Sequence, residues 1–237
     1  MSELEEATLR ASAKAEYASG VRVERERERE RESLALRFCK RSTDLIFGII
    51  GCLALLPLTI IIKLAYVLSG DFHSIFYTQD RIGRNGKIFK LYKFRSMVPN
   101  ADKELKKLLR KKEYSDEWDK YQKLDNDPRI TKIGKLLRKA SLDELPQIFN
   151  ILKNDMSLVG PRPLLPGELD EHKGNHAIYE SVKPGITGWW AVNGRSDVDY
   201  HKRLALEYEY VQNQSILLDI KCILYTIKNV FCGKGAK

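Results

Sequence analysis

The stretch that most limits this chain is LIFGIIGCLALLPLTIII, running from Leu45 to Ile62 without a charged residue. As a helix rising 1.5 Å per residue it reaches about 27 Å, against about 30 Å for the hydrocarbon core of a bilayer. A straight crossing is barely long enough. Pro57 lacks a backbone N–H and its ring clashes with the preceding turn, so a kink near Leu56–Pro57 is expected. Arg37, Lys40 and Arg41 precede the run, and Lys63 and a basic domain follow it. Basic residues stay on the cytoplasmic side of a membrane. Both ends on one side call for a hairpin that enters and leaves the same leaflet. The pattern alone leaves open a kinked crossing with Lys63 snorkelling, or a buried core helix.

The segments around this run set the expected organisation. Met1 to Glu32 is polar and contains no signal-peptide core, which predicts synthesis in the cytosol and attachment from that side. The VRVERERERERE repeat within it cannot bury a core; it reads as a spacer or a partner-docking arm. The expected division is a polar tail over 1–36, a membrane segment over 37–70 and a cytoplasmic domain over 71–237. A net charge of +9 favours acidic partners: nucleic acid, an anionic membrane face or phosphate-bearing substrates. Nucleic-acid binding would rest on charge alone, because no recognisable module accompanies it. Cys39, Cys52, Cys222 and Cys232 form no C-x-x-C pair, so reduced thiols are expected.

Within the third segment, Asn85-Gly86 between the β-prone runs SIFYTQDRIG and KIFKLYKFRSM signals a hairpin. A strand over Lys87–Arg95 would set Phe89, Leu91, Lys93 and Arg95 on one face. Two cations on an apolar face suit either an edge-strand solubility device or a phosphate site. Pro99–Lys112 reads as a basic amphipathic helix with Leu105, Leu108 and Leu109 along its stripe. NDMSLVGPRPLLPGE and VKPGITGWWAVNGRSD are Pro/Gly-rich and read as loops. Helices are expected over Tyr200–Asn213 and Ser215–Phe231, the second with an apolar face for the core or the membrane boundary.

The candidate chemistry centres on Ser141-x-Asp143-Glu144, opening a helix to about Leu152. Ser141 with Glu144 three residues on has the spacing of a capping box. Asp143 then falls in the first turn, where the helix dipole should hold it ionised, as a carboxylate nucleophile must be. Adjacent helical residues face different ways, so Asp143 and Glu144 would serve different targets. Arg138 and Lys139 precede the pair. Arg162 follows in Gly160-Pro161-Arg162-Pro163, where flanking prolines stiffen the backbone of a group able to grip phosphate, or where Arg162 simply decorates a surface turn. His172 and His176 have metal-compatible spacing but no third ligand. Trp189-Trp190 suits an interfacial belt or core packing. P-loop, dinucleotide-fold and hydrolase-elbow signatures do not occur.

Four stretches, KRSTDLIFGIIGCLALLPLTIII, QDRIGRNGKIFKLYKFRSM, ITKIGKLLRKASLDELPQIFNILKNDMSLVGPRPLL and KPGITGWWAVNGRSD, occur in an order that resembles the monotopic bacterial sugar transferases. These are the polyprenyl-phosphate phosphoglycosyl transferases of capsule, exopolysaccharide and O-antigen assembly. The resemblance covers about Arg37 to Phe231. It implies a helix-rich α+β fold with an N-terminal re-entrant membrane helix broken at Pro57, a small β-hairpin and amphipathic surface helices. It implies that Asp143 attacks the β-phosphorus of a UDP-sugar, releases UMP and passes the phospho-sugar to polyprenyl phosphate, with Glu144 helping to hold Mg2+. Lys93, Arg95, Arg138 and Arg162 are implied phosphate or nucleotide ligands. Asn193, Gly194, Arg195 and Asp197 fall in a region implied in sugar or nucleotide recognition. The implied setting is the cytoplasmic face of the bacterial inner membrane, an anionic surface, with a homodimer compatible and no nucleic acid. The alternative is a non-catalytic membrane-surface scaffold of a glycan-assembly complex, against which the intact Asp143–Glu144 pair argues. Larger relatives carry several membrane spans where this chain has its polar tail.

Overall fold

The computed structural model describes residues 3–121, 124, 126–193 and 199–231, with 3–33, 119–121 and 230–231 described by their backbone. The chain forms two compact units, Met1–Thr43 and Asp44–Lys237. The first helix, α1 (Glu3–Leu68), continues through Pro57. Its part from Leu34 to Leu68 is long and apolar enough to cross a membrane.

From Asp44 onward α1 has two faces of opposite character. Ile46, Ile49, Ile50, Leu53, Leu56, Ile60, Ile61 and Leu64 are each at least 55% exposed. Asp44, Leu55, Ile62 and Tyr66 are buried on the other side. Gly48 and Gly51 continue that buried seam, because a Cβ on them would meet Leu152 at 2.7 Å and Ile148 at 2.5 Å. Leu55, Ile62 and Tyr66 pack with Ile75, Phe94 and Leu137. Tyr66 donates its hydroxyl to the Arg95 carbonyl at 2.5 Å. One stripe of the apolar helix is therefore part of the folded domain, and the opposite stripe is an exposed apolar surface.

The expected hairpin is present. β1 (Phe76–Ile82) pairs antiparallel with β2 (Ile88–Phe94), with Phe76 opposite Phe94 and Ile82 opposite Ile88. Asn85 and Gly86 have φ of 59° and 71°, the left-handed turn that Asn-Gly accepts at small cost. Phe89 and Leu91 are buried on the inner face, with Lys93 half-buried beside them. The amphipathic helix expected over Pro99–Lys112 is present as the shorter α2 (Ala101–Leu108), and a turn separates it from a further helix, α3 (Lys112–Tyr121), that the sequence reading did not anticipate.

α4 (Lys132–Lys139) is capped by the Thr131 hydroxyl, which accepts from the Gly134 N–H at 2.9 Å. A 3-10 turn over Leu142–Gln147 and the short α5 (Ile148–Leu152) replace the single helix expected from Ser141. Pro146 lies inside the turn and has no N–H to offer an α-helical ladder. β3 (Ser157–Val159) then runs parallel to β4 (Gly185–Thr187), a small sheet in two segments that sequence reading treats as loops. Between and after them come α6 (Glu168–Glu171), α7 (His176–Tyr179), α8 (Trp189–Val192), α9 (Tyr200–Gln212) and α10 (Ile216–Phe231). The two last helices match the expected segments. α10 buries Cys222 against Val159 and Tyr210, while Leu217, Ile220, Leu224 and Ile227 are exposed. Cys39, Cys52 and Cys222 take part in no disulfide.

Candidate active site

The inner face of the hairpin, the 3-10 turn, the loop after β3, β4 and α8 meet at one open cleft. Its polar lining is Arg81, Lys93, Glu144, Gln147, Arg162 and Trp190. The cleft thus gathers three of the expected site residues, Lys93, Glu144 and Arg162, adds Arg81 and Gln147, which sequence reading passed over, and takes in Trp190, which it gave to an interfacial belt or the core. Register held the signal for one of them. Arg81 pairs with Phe89, so strand alternation sets it on the same inner face as Phe89, Leu91 and Lys93.

The carboxylate pair is built differently from the expected capping box. Ser141 is left-handed, with φ of 54°, and its side chain makes no cap hydrogen bond. Glu144 instead accepts from Lys93 Nζ at 2.9 Å. The protonation of Asp143 also departs from expectation. Burial raises its pKa above the usual 3.8 and the neighbouring Glu144 charge adds to the rise, while Lys93 and Arg138 pull it down. A six-residue 3-10 turn gives too little dipole to offset that desolvation.

Around the pair lies an excess of donors. Arg81 is 7% exposed; it gives Nη1 to the Pro163 carbonyl at 3.0 Å and Nη2 to Gln79 Oε1 at 2.6 Å. Burial, then the charge of Arg162, lowers its pKa. Arg162 stands with its guanidinium carbon 5.8 Å from the centre of the Trp190 ring. The Nε atoms of Arg81 and Arg162 and the indole Nε1 of Trp190 are buried without a hydrogen-bond partner. Unpaired buried donors are costly, and these three belong to residues that line the same cleft.

The remaining expected residues fall elsewhere. Arg138 approaches from α4, where its Nε donates to Ser96 Oγ at 2.9 Å, and it acts on Asp143 through its charge. Arg95 lies outside the cleft lining. β2 ends at Phe94, and Arg95 turns away from the cleft to donate to Ser74 O at 2.6 Å, Met97 O at 3.1 Å and Asp71 Oδ2 at 2.9 Å. It lies against the Tyr66 ring and is 8% exposed, bonded within the fold. Asn193 donates its side-chain amide to the Trp189 carbonyl at 2.8 Å. Gly194, Arg195 and Asp197 lie outside the described residues. His176 meets Asp170 at 2.8 Å and Glu180 at 2.6 Å, whereas His172 stacks on Tyr200, so the two imidazoles serve different neighbours. Among the described residues no cluster of three or more His, Cys, Asp or Glu forms a protein-only metal cage.

A family model described as bacterial sugar transferase matches residues 35–233 of the chain. The chain is 46% identical to the undecaprenyl-phosphate galactose phosphotransferase of Salmonella typhimurium over 84% of its own length and 42% of that protein's. It is 42% identical to the exopolysaccharide production protein ExoY of Sinorhizobium fredii, over 83% of its own length and 87% of the relative's. The UDP-glucose:undecaprenyl-phosphate glucose-1-phosphate transferase of Escherichia coli is 37% identical over 84% of the chain and 42% of that protein. The chain thus spans about two fifths of the Salmonella and Escherichia relatives and most of ExoY.

Proposed function

The chain belongs to the bacterial sugar transferase family, and from that premise we propose that it transfers a sugar 1-phosphate from a UDP-sugar to undecaprenyl or another polyprenyl phosphate. The observation that carries this reading is the cleft itself. Lys93, Arg81 and Arg162 line it together with Glu144; Asp143, the residue before Glu144, is not in that lining but feels the charges of Lys93, Glu144 and Arg138. A diphosphate is a fitting counter-charge for three cations lining one cleft, and cations are what an anionic nucleophile needs to approach an anionic phosphorus. The named activities of the Salmonella and Escherichia relatives are of the same class.

In this mechanism the Asp143 carboxylate oxygen attacks the β-phosphorus of the donor. The bond from that phosphorus to the bridging oxygen breaks and UMP leaves. An oxygen of polyprenyl phosphate then attacks the aspartyl phospho-sugar, forming the lipid diphosphate and returning Asp143 as a carboxylate. Burial removes hydration from Asp143, which favours attack, while Lys93 and Arg138 limit the accompanying rise in its pKa. Mg2+ takes one or two carboxylates and completes its shell with substrate phosphates and water, so Glu144 at the rim of the cleft fits its needs without a protein-only cage. Bound there it would neutralise charge on the diphosphate.

We further propose monotopic attachment at the cytoplasmic face of the inner membrane through a re-entrant α1. The buried seam running from Asp44 to Tyr66 supports it. A full crossing would draw the polar partners of that seam into hydrocarbon, whereas entry into one leaflet leaves them at the surface. α1 is helical through Pro57 here; the re-entrant form asks the helix to bend at that residue in the membrane, where the missing N–H weakens the ladder. Purified protein given a panel of UDP-sugars, Mg2+ and polyprenyl phosphate is expected to release UMP, and Asp143→Asn to abolish release while melting like the parent. Full activity in that variant removes Asp143 as nucleophile. Outer-side labelling of a cysteine placed at Arg37 or Asp71 rejects the re-entrant helix.

A further inference from the structure

Tyr179 closes α7 and is 2% exposed, its ring packed with Leu164, Leu169 and Leu204. Its hydroxyl donates to the Arg162 carbonyl and accepts from the Leu164 N–H at 3.1 Å. One group that is both donor and acceptor thus bridges Pro163, which has no N–H of its own. The rest of the turn is held by strands. Arg81 Nη1 donates to the Pro163 carbonyl at 3.0 Å, and the Ile82 N–H donates to the Leu164 carbonyl at 2.9 Å. The Gly185 N–H donates to the Pro161 carbonyl at 2.8 Å. The four carbonyls from Pro161 to Leu164 therefore each have a donor, three of them from β1 and β4 and one from the tip of a tyrosine.

The side chain of Arg162 has no matching support. Its Nε is buried without a hydrogen-bond partner, and its guanidinium carbon lies 5.8 Å from the centre of the Trp190 ring. A side chain without polar anchors takes its direction from its backbone, and Tyr179 bonds the peptide carbonyl of Arg162 itself. We propose that Tyr179 is a positioning residue for Arg162, its hydroxyl fixing the turn so that the guanidinium stays against Trp190 at the cleft, where the donor diphosphate binds. This rests on reading the cleft as the diphosphate site. α7 is anchored at both ends to hold the tyrosine there. The Asn175 side chain accepts from the Ile178 N–H at 3.2 Å, and the Asn175 N–H donates to the Tyr208 hydroxyl on α9 at 2.5 Å. The Glu180 carbonyl accepts from the Asn85 N–H at 2.7 Å, in the hairpin turn. One short helix thereby ties the tip of the hairpin to the wall that carries Arg162.

The test uses the full chain in lipid nanodiscs, with Tyr179→Phe, Arg162→Gln, the double variant that joins them, and Asn175→Ala. Tyr179→Phe keeps the ring in its cluster and removes only the hydroxyl. It is expected to bind Mg2+–UDP roughly tenfold more weakly and to raise the donor KM by a similar factor, the scale of one charge-assisted hydrogen bond out of alignment. kcat should stay within about threefold of the parent, because the lost contact serves bound donor and transition state alike. The double variant is expected to bind no more weakly than Arg162→Gln alone, whereas a merely structural loss would add in full. Asn175→Ala loosens the start of α7 and leaves the cleft residues in place. Its donor KM should rise in the same direction by about threefold, on the scale of a lost helix cap. A ligand-free readout comes from Trp190 fluorescence in a background carrying Trp118→Phe and Trp189→Phe, because the Arg162 guanidinium stands beside that ring. Tyr179→Phe should shift this emission, and the shift should vanish once Arg162→Gln is present. Unchanged donor KM and unchanged emission in Tyr179→Phe overturn the proposal, as does a loss that adds in full to that of Arg162→Gln. Should Tyr179→Phe fail to fold, an unchanged donor KM in Asn175→Ala overturns it. If the parent releases no UMP from any donor while Tyr179→Phe still moves the emission through Arg162, the proposed activity fails and the positioning role stands.

Discussion

Lys93 Nζ lies 2.9 Å from Glu144 Oε1, tying the end of the hairpin to the carboxylate pair across 51 residues of chain. The ion pair is partly solvent-exposed, so its contribution to folding is small. Its larger effect is on Asp143, whose pKa Lys93 lowers against burial and the charge of Glu144.

Lys93→Met is therefore expected to leave the melting temperature close to that of the parent and to lower kcat/KM for the UDP-sugar about 10²-fold, the scale of losing one electrostatic stabiliser. Removing the cation raises the Asp143 pKa further. A nucleophile that reacts ionised then loses activity earlier as pH falls, so the acidic limb of the pH–rate profile moves to higher pH. UMP release measured across pH checks both effects; an unmoved acidic limb rejects the assignment of Lys93 to Asp143.

Arg95→Met is expected to behave in the opposite way. Its guanidinium is 8% exposed and bonded to Asp71, Ser74 O and Met97 O. Breaking such a buried network typically costs about 3–5 kcal/mol. The melting temperature should fall steeply, and whatever protein stays folded should keep the donor KM of the parent. A raised KM with unchanged melting would return Arg95 to the diphosphate.

These two cations show where the sequence was readable and where it was not. Period-two alternation placed Lys93 on the inner face with Phe89 and Leu91, and that held because β2 runs through it. The same alternation carried to Arg95 failed, because β2 ends at Phe94 and the side chain is claimed by Asp71, 24 residues earlier. The Asn85-Gly86 turn and the helical periodicity of α9 and α10 are local signals and were legible. β3 and β4 were not, since three-residue strands beside Gly and Pro show no period. The position of Asp143 could be read from its motif, but its environment depends on burial that no spacing reports.

Gly134 is expected to tolerate no side chain. A Cβ there would lie 1.8 Å from the Ser96 carbonyl oxygen, a backbone atom that no rotamer change can move. The same contact brings α4 against the end of the hairpin, where Arg138 donates to Ser96 Oγ. Gly134→Ala should cost about 3 kcal/mol or more, the upper end for overpacking, and should lower activity by displacing Arg138 from Asp143. Thermal melts and UMP release on the same preparation test it. A parent-like melting temperature would contradict the close approach of α4 to Ser96.

Asp44 opens the seam that joins the apolar helix to the domain. Its carboxylate is 3% exposed and accepts from Ser157 Oγ at 3.0 Å and from the Leu158 N–H at 2.8 Å. Asp44→Ala leaves a buried peptide N–H and a hydroxyl without this acceptor, at about 1–3 kcal/mol for each. Asp44→Asn keeps one acceptor oxygen and should recover most of that loss if the amide oxygen faces β3. The melting temperature is therefore expected to be highest in the parent, lower in Asp44→Asn and lowest in Asp44→Ala. Because Gly48, Gly51 and Leu55 continue the same stripe, loosening Asp44 should also expose the Leu152 and Ile148 side chains to solvent. Hydrogen exchange at Leu158 is the direct measurement: faster exchange in Asp44→Ala with protection restored in Asp44→Asn fits the anchor, and equal protection in all three proteins excludes it.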